Sequence, residues 1–264
     1  AYDDNPAATS TETVDVTKIV ASAKCEDMKF WSPDSPNLYD VYTVLKDSEG
    51  NVLDVQKTTT GFRKVEYDIN DGGLKINDQP VWLTGYAQRS TNEWAVIGVA
   101  NDWLQDLDMQ WIKESNSNFI RWMHVAPKPS QIRSGDKYGV VSACPAGDKE
   151  ADVDGRAWDQ RVEAMRDAMI YFRNSPSVIF WEAGNNAVTA AHQQEMTDLK
   201  NTLDPNGERF CGCRTISSTD QIQAADYVGT MLNRHASNAK ASMAAIKKYV
   251  PIMETEYARE EAPR

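Results

Sequence analysis

Histidine is scarce in this chain. Only His124, His192 and His235 occur among 264 residues. They are spread too widely to share a zinc ion, so no metal is expected. Cysteine is nearly as rare. Cys25, Cys144, Cys211 and Cys213 form no CxxC pair and show no zinc spacing. Cys211 and Cys213 point the same way from one expected strand, which suits a mutual disulfide poorly. The cysteines read as small buried hydrophobes. Basic residues are outnumbered 28 to 39, for a net charge of −11. That balance excludes a nucleic-acid partner, since backbone phosphates need a concentrated basic surface. No apolar run reaches the length of a membrane span, so no membrane partner is expected. The opening Ala1–Ser10 is polar, with no signal-like apolar stretch. No GxGxxG follows a first strand, which argues against a dinucleotide cofactor.

The first sixty-odd residues carry short alternating strands. Val14 to Val20 alternates, and Tyr39 to Leu45 places Val41, Thr43 and Leu45 on one face. Asp47 to Gly50 is a turn, and Val52 to Thr60 returns as the partner strand. Alternation broken by turn residues, with no helical period between, predicts a β-sandwich. The pattern changes near Gly72. A hairpin is expected over Leu74 to Trp82, turning at Asn77 and Asp78.

Strands and helices then alternate. Strands are predicted at Val81 to Gly85, Asn118 to His124, Gly139 to Cys144, Val178 to Trp181, Arg209 to Thr215, Tyr227 to Thr230 and Ile252 to Tyr257. Helices are predicted with Leu104, Leu107 and Trp111 on one face, then with Trp158, Val162, Met165, Met169 and Phe172, then over Thr189 to Leu203 and Lys240 to Tyr249. Asn101 is placed to cap the first of them. This succession indicates a TIM barrel or a doubly wound sheet, and the barrel is favoured because chemically rich residues recur at successive strand ends. The expected architecture is an immunoglobulin-like β-sandwich over residues 1–66, followed by a (β/α)8 TIM barrel over 67–264. An eighth β/α unit is not visible, so the intact protein is expected to continue.

Three segments can carry chemistry. Glu256 ends an apolar strand, where a barrel places its active site, and a carboxylate there can attack an anomeric carbon. It can equally be a solvated strand-end glutamate. Glu182, Gly184, Asn185 and Asn186 end the strand begun at Val178. The amides of Gly184, Asn185 and Asn186 can donate to sugar hydroxyls or simply cap the following helix. Arg121 and His124 end another strand. Arg121 can fix and acidify a carboxylate, or it can be a core arginine paired with an unrelated acid. Trp94, in the long loop after the first barrel strand, is the expected stacking wall for a sugar ring. Trp82 is expected to pack in the core.

Together these pieces resemble glycoside hydrolase family 2, the group holding β-galactosidases, β-glucuronidases and β-mannosidases. Trp31-Ser-Pro-Asp-Ser-Pro-Asn-Leu-Tyr39 and Gly61-Phe-Arg63 are similar to motifs of its sandwich domain. Leu74 to Gly85 resembles its entry into the barrel. Ile120-Arg-Trp-Met-His124, Ser175-Pro-Ser-Val-Ile179 and Thr255-Glu-Tyr257 resemble its second, fourth and nucleophile strands. The resemblance implies a retaining glycosidase without a cofactor, acting on a carbohydrate substrate. By family base rate the leading expectation is a terminal β-galactoside of an oligo- or polysaccharide. The resemblance makes Glu256 the nucleophile, brings Asn185 to the sugar near its 2-hydroxyl, and lines the site with Arg121 and His124.

One departure stands out. The family reads Gly-Asn-Glu after strand four, and that Glu is its general acid/base. This chain reads Gly184-Asn-Asn186. An amide cannot give a proton to a leaving oxygen and take one back from water. Glu182 is the named candidate for a displaced acid, although an extended strand would set it about 13 Å below Asn186. Glu195, or an acid between Asp148 and Asp154, can also reach in from a loop. A sugar-binding protein on an inactive barrel remains open, as does a leaving group that needs little protonation.

Overall fold

A computed structural model describes residues 20–68, 70–71, 73–89, 101–147, 151–215, 218–230 and 250–255. The expected strand at Val14 to Val20, the helix at Lys240 to Tyr249, and the site residues Trp94 and Glu256 lie outside them.

The N-terminal part is antiparallel. β1 (Trp31–Ser32) pairs with β2 (Ser35–Pro36), and β3 (Tyr39–Lys46) pairs with β4 (Val52–Thr60). The expected turn joins β3 to β4. Asp47 Oδ1 accepts from the backbone N of Glu49 and of Asn51, and Gly50 takes the left-handed conformation at φ 88°. β5 (Val65–Asp68), β6 (Gly73–Ile76) and β7 (Gln79–Pro80) form a second antiparallel sheet. Its hairpin turns at Asn77 and Asp78 as expected. Both have positive φ, which matches the twist a two-residue hairpin loop needs.

The remaining strands form one parallel sheet. They are β8 (Gly85–Arg89), β9 (Phe119–Met123), β10 (Val141–Pro145), β11 (Val178–Glu182), β12 (Phe210–Cys213), β13 (Tyr227–Thr230) and β14 (Ile252–Glu254). Each neighbours the next in sequence order. A doubly wound sheet would reverse that order at a switch point, and this one does not. The sheet is the wall of a TIM barrel. Between the strands run α1 (Asp102–Glu114), α2 (Pro129–Tyr138), α3 (Arg156–Phe172), α4 (Ala190–Leu203) and α5 (Thr219–Ala224).

Two apolar layers hold the barrel. Between sheet and helices, Trp122, Cys144, Trp181, Cys211 and Cys213 pack against Met109, Ile132, Met165, Met169 and Met196. Inside the barrel, Phe119, Val141, Ala143, Ile179, Phe180 and Tyr227 cluster with Trp31, Val65 and Ile76 of the N-terminal part. Residues of the antiparallel sheets thus help fill one end of the barrel. Cys144, Cys211 and Cys213 are free and buried, whereas Cys25 is free and exposed. Burial pushes the Cys211 and Cys213 thiols up to about 12. That leaves them as packing groups rather than nucleophiles.

Several local expectations change. The first barrel strand is Gly85–Arg89, not Val81 to Gly85. Val81 instead extends the β6–β7 hairpin, its N–H donating to Leu74 O. The strand starts at a glycine for a physical reason: a Cβ there would lie 1.7 Å from Phe119 O. Trp82 is 84% exposed rather than in the core. In α1 the buried residues are Gln105, Met109 and Ile112, while Trp111 is 57% exposed. Helix α5 has no apolar stripe to announce it, but Ser218 caps it by accepting from Gln221 N. Helix α3 buries Trp158, Met165, Met169 and Phe172 on the expected face.

Candidate active site

The candidate side chains sit at the C-terminal ends of the parallel strands. β9 carries Arg121 and is followed by His124, β11 ends with Glu182, and the turn beyond it carries Gly184, Asn185 and Asn186. β12 runs into Arg214, and β14 leads through Thr255 toward position 256.

Register explains how the first two meet. Arg121 pairs in register with Ala143, while Glu182 pairs with Pro145, two residues further along β10. That offset is about 7 Å along the strand, the reach of an arginine side chain. Between Ser142 and Ala143 the partner on β11 jumps from Val178 to Phe180. Ile179 is therefore an extra residue, a bulge that re-aims the side chains after it. Phe180 joins the inner cluster, Trp181 turns to the helices, and Glu182 faces Arg121.

Arg121 Nε lies 2.7 Å from Glu182 Oε2, and Arg121 NH2 lies 2.5 Å from Glu182 Oε1. Both side chains are 1% exposed. Arg121 NH2 also donates to Asn185 Oδ1 at 2.9 Å. Asn185 and Glu182 thus share one guanidinium nitrogen. The strand stops at Glu182 and the chain folds back through Gly184, so the extended spacing expected from sequence does not apply here. A side chain at Gly184 would meet Val188 Cγ1 at 2.8 Å. His124 is buried at 6% exposure directly after β9.

Arg214 grips the same turn from the other side. Its backbone N donates to Gly184 O, its Nε donates to Asn185 O at 2.5 Å, and its NH2 donates to Asn186 Oδ1. Arg214 is 6% exposed, and Asn186 is half-buried. Sequence reasoning missed Arg214. Its signal was the one that singled out Arg121: an arginine at the end of a barrel strand.

Of the acids expected to reach in from loops, Glu195 and Asp152 are engaged elsewhere, while Asp154 is exposed. Glu195 Oε2 accepts from Trp158 Nε1 at 2.7 Å. Asp152 accepts from Thr189 N at 2.8 Å and bonds His192 Nδ1 at 2.9 Å, and the His192 ring stacks on Trp158 at 3.8 Å. Burial works to raise the Asp152 pKa, but the hydrogen bonds from Thr189 and His192 outweigh it and hold the carboxyl below its ordinary value. Asp148 and Glu150 lie outside the described residues. Thr255, just before Glu256, is 5% exposed and is anchored to Thr230 O through both its backbone N and its hydroxyl, each at 2.9 Å. Among the described residues no group of three or more His, Cys, Asp or Glu comes together to hold a metal. Among them, no helix is long and apolar enough to cross a membrane.

Comparison with known proteins agrees with this fold. Residues 2–63 match the family described as Glycosyl hydrolases family 2, and residues 67–263 match Glycosyl hydrolases family 2, TIM barrel domain. A β-glucuronidase of Formosa agariphila is 34% identical over 250 residues, covering 94% of this chain and 24% of that protein. A β-galactosidase of Photobacterium profundum is 28% identical over 188 residues, covering 67% of this chain and 18% of that protein. A solved structure described as a β-glucuronidase from glycoside hydrolase family 2 superposes with a TM-score of 0.78 at 33% identity, over 90% of this chain and 24% of that one. The chain thus spans about a quarter or less of the length of these relatives. With both family domains matched in order along nearly its whole length, and the barrel strands ending in the residues described, the chain belongs to glycosyl hydrolases family 2.

Proposed function

We propose that the protein carrying this chain is a retaining β-glycosidase in which Glu256 is the nucleophile. Glu256 Oε forms a bond to the anomeric carbon as the glycosidic C–O bond breaks, and the electron pair departs on the leaving oxygen. Water then attacks the glycosyl-enzyme, releases Glu256 and restores the original configuration. Arg121, His124, Asn185 and Asn186 line the sugar site, and Trp94 stacks on the ring.

Glu182 takes a different part from that of proton donor. Both of its carboxylate oxygens accept from the buried Arg121 guanidinium, which turns them away from a leaving oxygen. In this reading it positions Arg121, and Arg121 in turn fixes Asn185. The observation that carries the proposal is this Arg121–Glu182–Asn185 network directly beneath a strand-end turn of a family barrel. It is a rigid polar floor of the kind a sugar site needs.

The substrate we propose is a terminal β-glucuronide. The relative named β-glucuronidase matches nearly the whole chain, whereas the one named β-galactosidase matches two-thirds of it at lower identity. That shifts the reading away from the β-galactoside expected by base rate. One observation favours a second reading: Asn186 has no transferable proton, as in a barrel that binds sugar without turning it over. A 2-deoxy-2-fluoro glucuronide with an activated leaving group tests both. Mass spectrometry of the full-length protein should find a covalent glycosyl adduct on the peptide holding Glu256, and Glu256→Ala should abolish it. No adduct and no turnover on aryl β-glucuronides or β-galactosides, with sugar still bound, would establish the second reading.

A further inference from the structure

The orientation of the Asn186 side chain is settled from outside its turn, by Arg214, as that of Asn185 is by Arg121. An arginine guanidinium has only donors. Arg214 NH2 lies against one end of the Asn186 amide, so that end must be the oxygen Oδ1. The other end, Nδ2, then points away from Arg214. The guanidinium is itself held at two points, by Asn185 O through Nε and by Asn186 Oδ1 through NH2. Its backbone N is tied to Gly184 O. The amide plane of Asn186 is therefore fixed by a buried group, while the residue is half-exposed at the barrel mouth.

We propose that Arg214 is a positioning residue that presents Asn186 Nδ2–H as a fixed donor to an acceptor oxygen of the bound carbohydrate. The proposal rests on the glycosidase reading above and deepens it. In that reading the acceptor is the leaving oxygen, where negative charge develops as the glycosidic bond breaks. Asn186 transfers no proton; the departing oxygen takes its proton from water. What the amide supplies is a hydrogen bond that strengthens as charge accumulates. The guanidinium on its far side polarises the amide and strengthens that donor. Position 186 is thus a built donor site, matched to Arg214, rather than an acid/base position left vacant.

The two descriptions predict opposite signs for one substitution. Asn186→Asp keeps the size of the side chain and its contact with Arg214, but it presents only acceptors to the mouth. If 186 is a built donor, kcat/KM on alkyl β-glucuronides falls by about 100-fold, the usual cost of removing one such donor. The loss is larger for methyl than for 4-nitrophenyl glucuronide, because the poorer leaving oxygen bears more charge. If 186 is a vacant acid position, Asn186→Asp or Asn186→Glu raises turnover of methyl glucuronide, and that result overturns the proposal. Arg214→Lys keeps the charge but loses the two-point grip. It should fall between wild type and Arg214→Gln, with the same leaving-group trend. A purely structural role for Arg214 would lower activity equally on both substrates, and that too would overturn it.

Labelling of wild-type protein by the fluoro glucuronide separates this inference from the glycosidase reading, since labelling requires nothing of residue 186. Should wild type neither label nor turn over, calorimetry of glucuronic acid binding still decides the matter. Asn186→Asp is expected to weaken it, and unchanged affinity would count against the donor.

Discussion

Arg121 and Glu182 meet end to end inside the barrel, two nitrogens of one guanidinium on the two oxygens of one carboxylate, at 2.7 and 2.5 Å. They are 61 residues apart in sequence and both fully buried. Each charge offsets part of the cost of burying the other. Glu182→Gln should therefore destabilise the fold by about 3–5 kcal/mol, as expected when one partner of a buried pair is removed. A urea midpoint measurement checks this. The double variant Arg121→Met, Glu182→Leu removes both charges and should recover much of that stability, while sugar binding stays lost because Asn185 no longer has its anchor. Wild-type stability in Glu182→Gln would show that the pair does not hold the strand end.

Asp136 predicts a pH dependence. It lies on α2, and its Oδ1 accepts from Ser177 N at 2.9 Å. Burial pushes its pKa up from 3.8 to about 6, against the pull of the Ser177 hydrogen bonds. Between these two values the folded state binds more protons than the unfolded one, so this group makes stability fall as pH rises through that window. Above about pH 6 the full penalty of the buried carboxylate is present, on the order of 3 kcal/mol. Asp136→Asn retains an acceptor for Ser177 and removes the charge. Its Tm should rise at pH 7.5, and its stability profile should lose the slope between about pH 4 and 6. An equal or lower Tm at pH 7.5, with the slope unchanged, would rule this out.

Arg63 should matter more than its distance from the barrel mouth suggests. Its Nε donates to Pro176 O at 2.6 Å, NH2 to Val178 O at 2.9 Å and NH1 to Gly207 O at 3.1 Å. These carbonyls lie at or before the starts of β11 and β12. Burial, reinforced by neighbouring Arg209, pushes the guanidinium down to about 9. Arg63 uses three separate nitrogens of a rigid fork, whereas a lysine has a single nitrogen from which to reach these carbonyls. Val178 O keeps Arg209 Nε as a donor, so Arg63→Lys should cost about 1–3 kcal/mol for the buried Pro176 carbonyl it leaves unpaired. Guanidinium chloride unfolding measures this, and an unchanged midpoint would mean that water serves those carbonyls as well.

Much of the fold was legible because its signals are local. The alternation of Tyr39 to Leu45, the Asn77–Asp78 turn and the helical spacing of Trp158, Met165, Met169 and Phe172 each rest on a period of a few residues. Period alone also led to errors. Val81 to Gly85 reads as a strand, but its backbone was already engaged by Leu74. The stripe of Leu104, Leu107 and Trp111 reads as a buried face, yet the packed arc runs through Gln105, Met109 and Ile112. Which face of a helix is covered depends on its neighbours, and period does not contain that.

The sequence by itself determined the order of strands and helices, the strand ends at which polar residues gather, and the family to which those motifs belong. It also placed an amide at position 186. Only the tertiary structure decided what those residues do to one another. The bulge at Ile179 turned Glu182 toward Arg121, and the end of β12 brought Arg214 onto Asn186. Both depend on register between strands far apart in the chain. Register is set by the packing of the whole barrel, and no local run of residues records it.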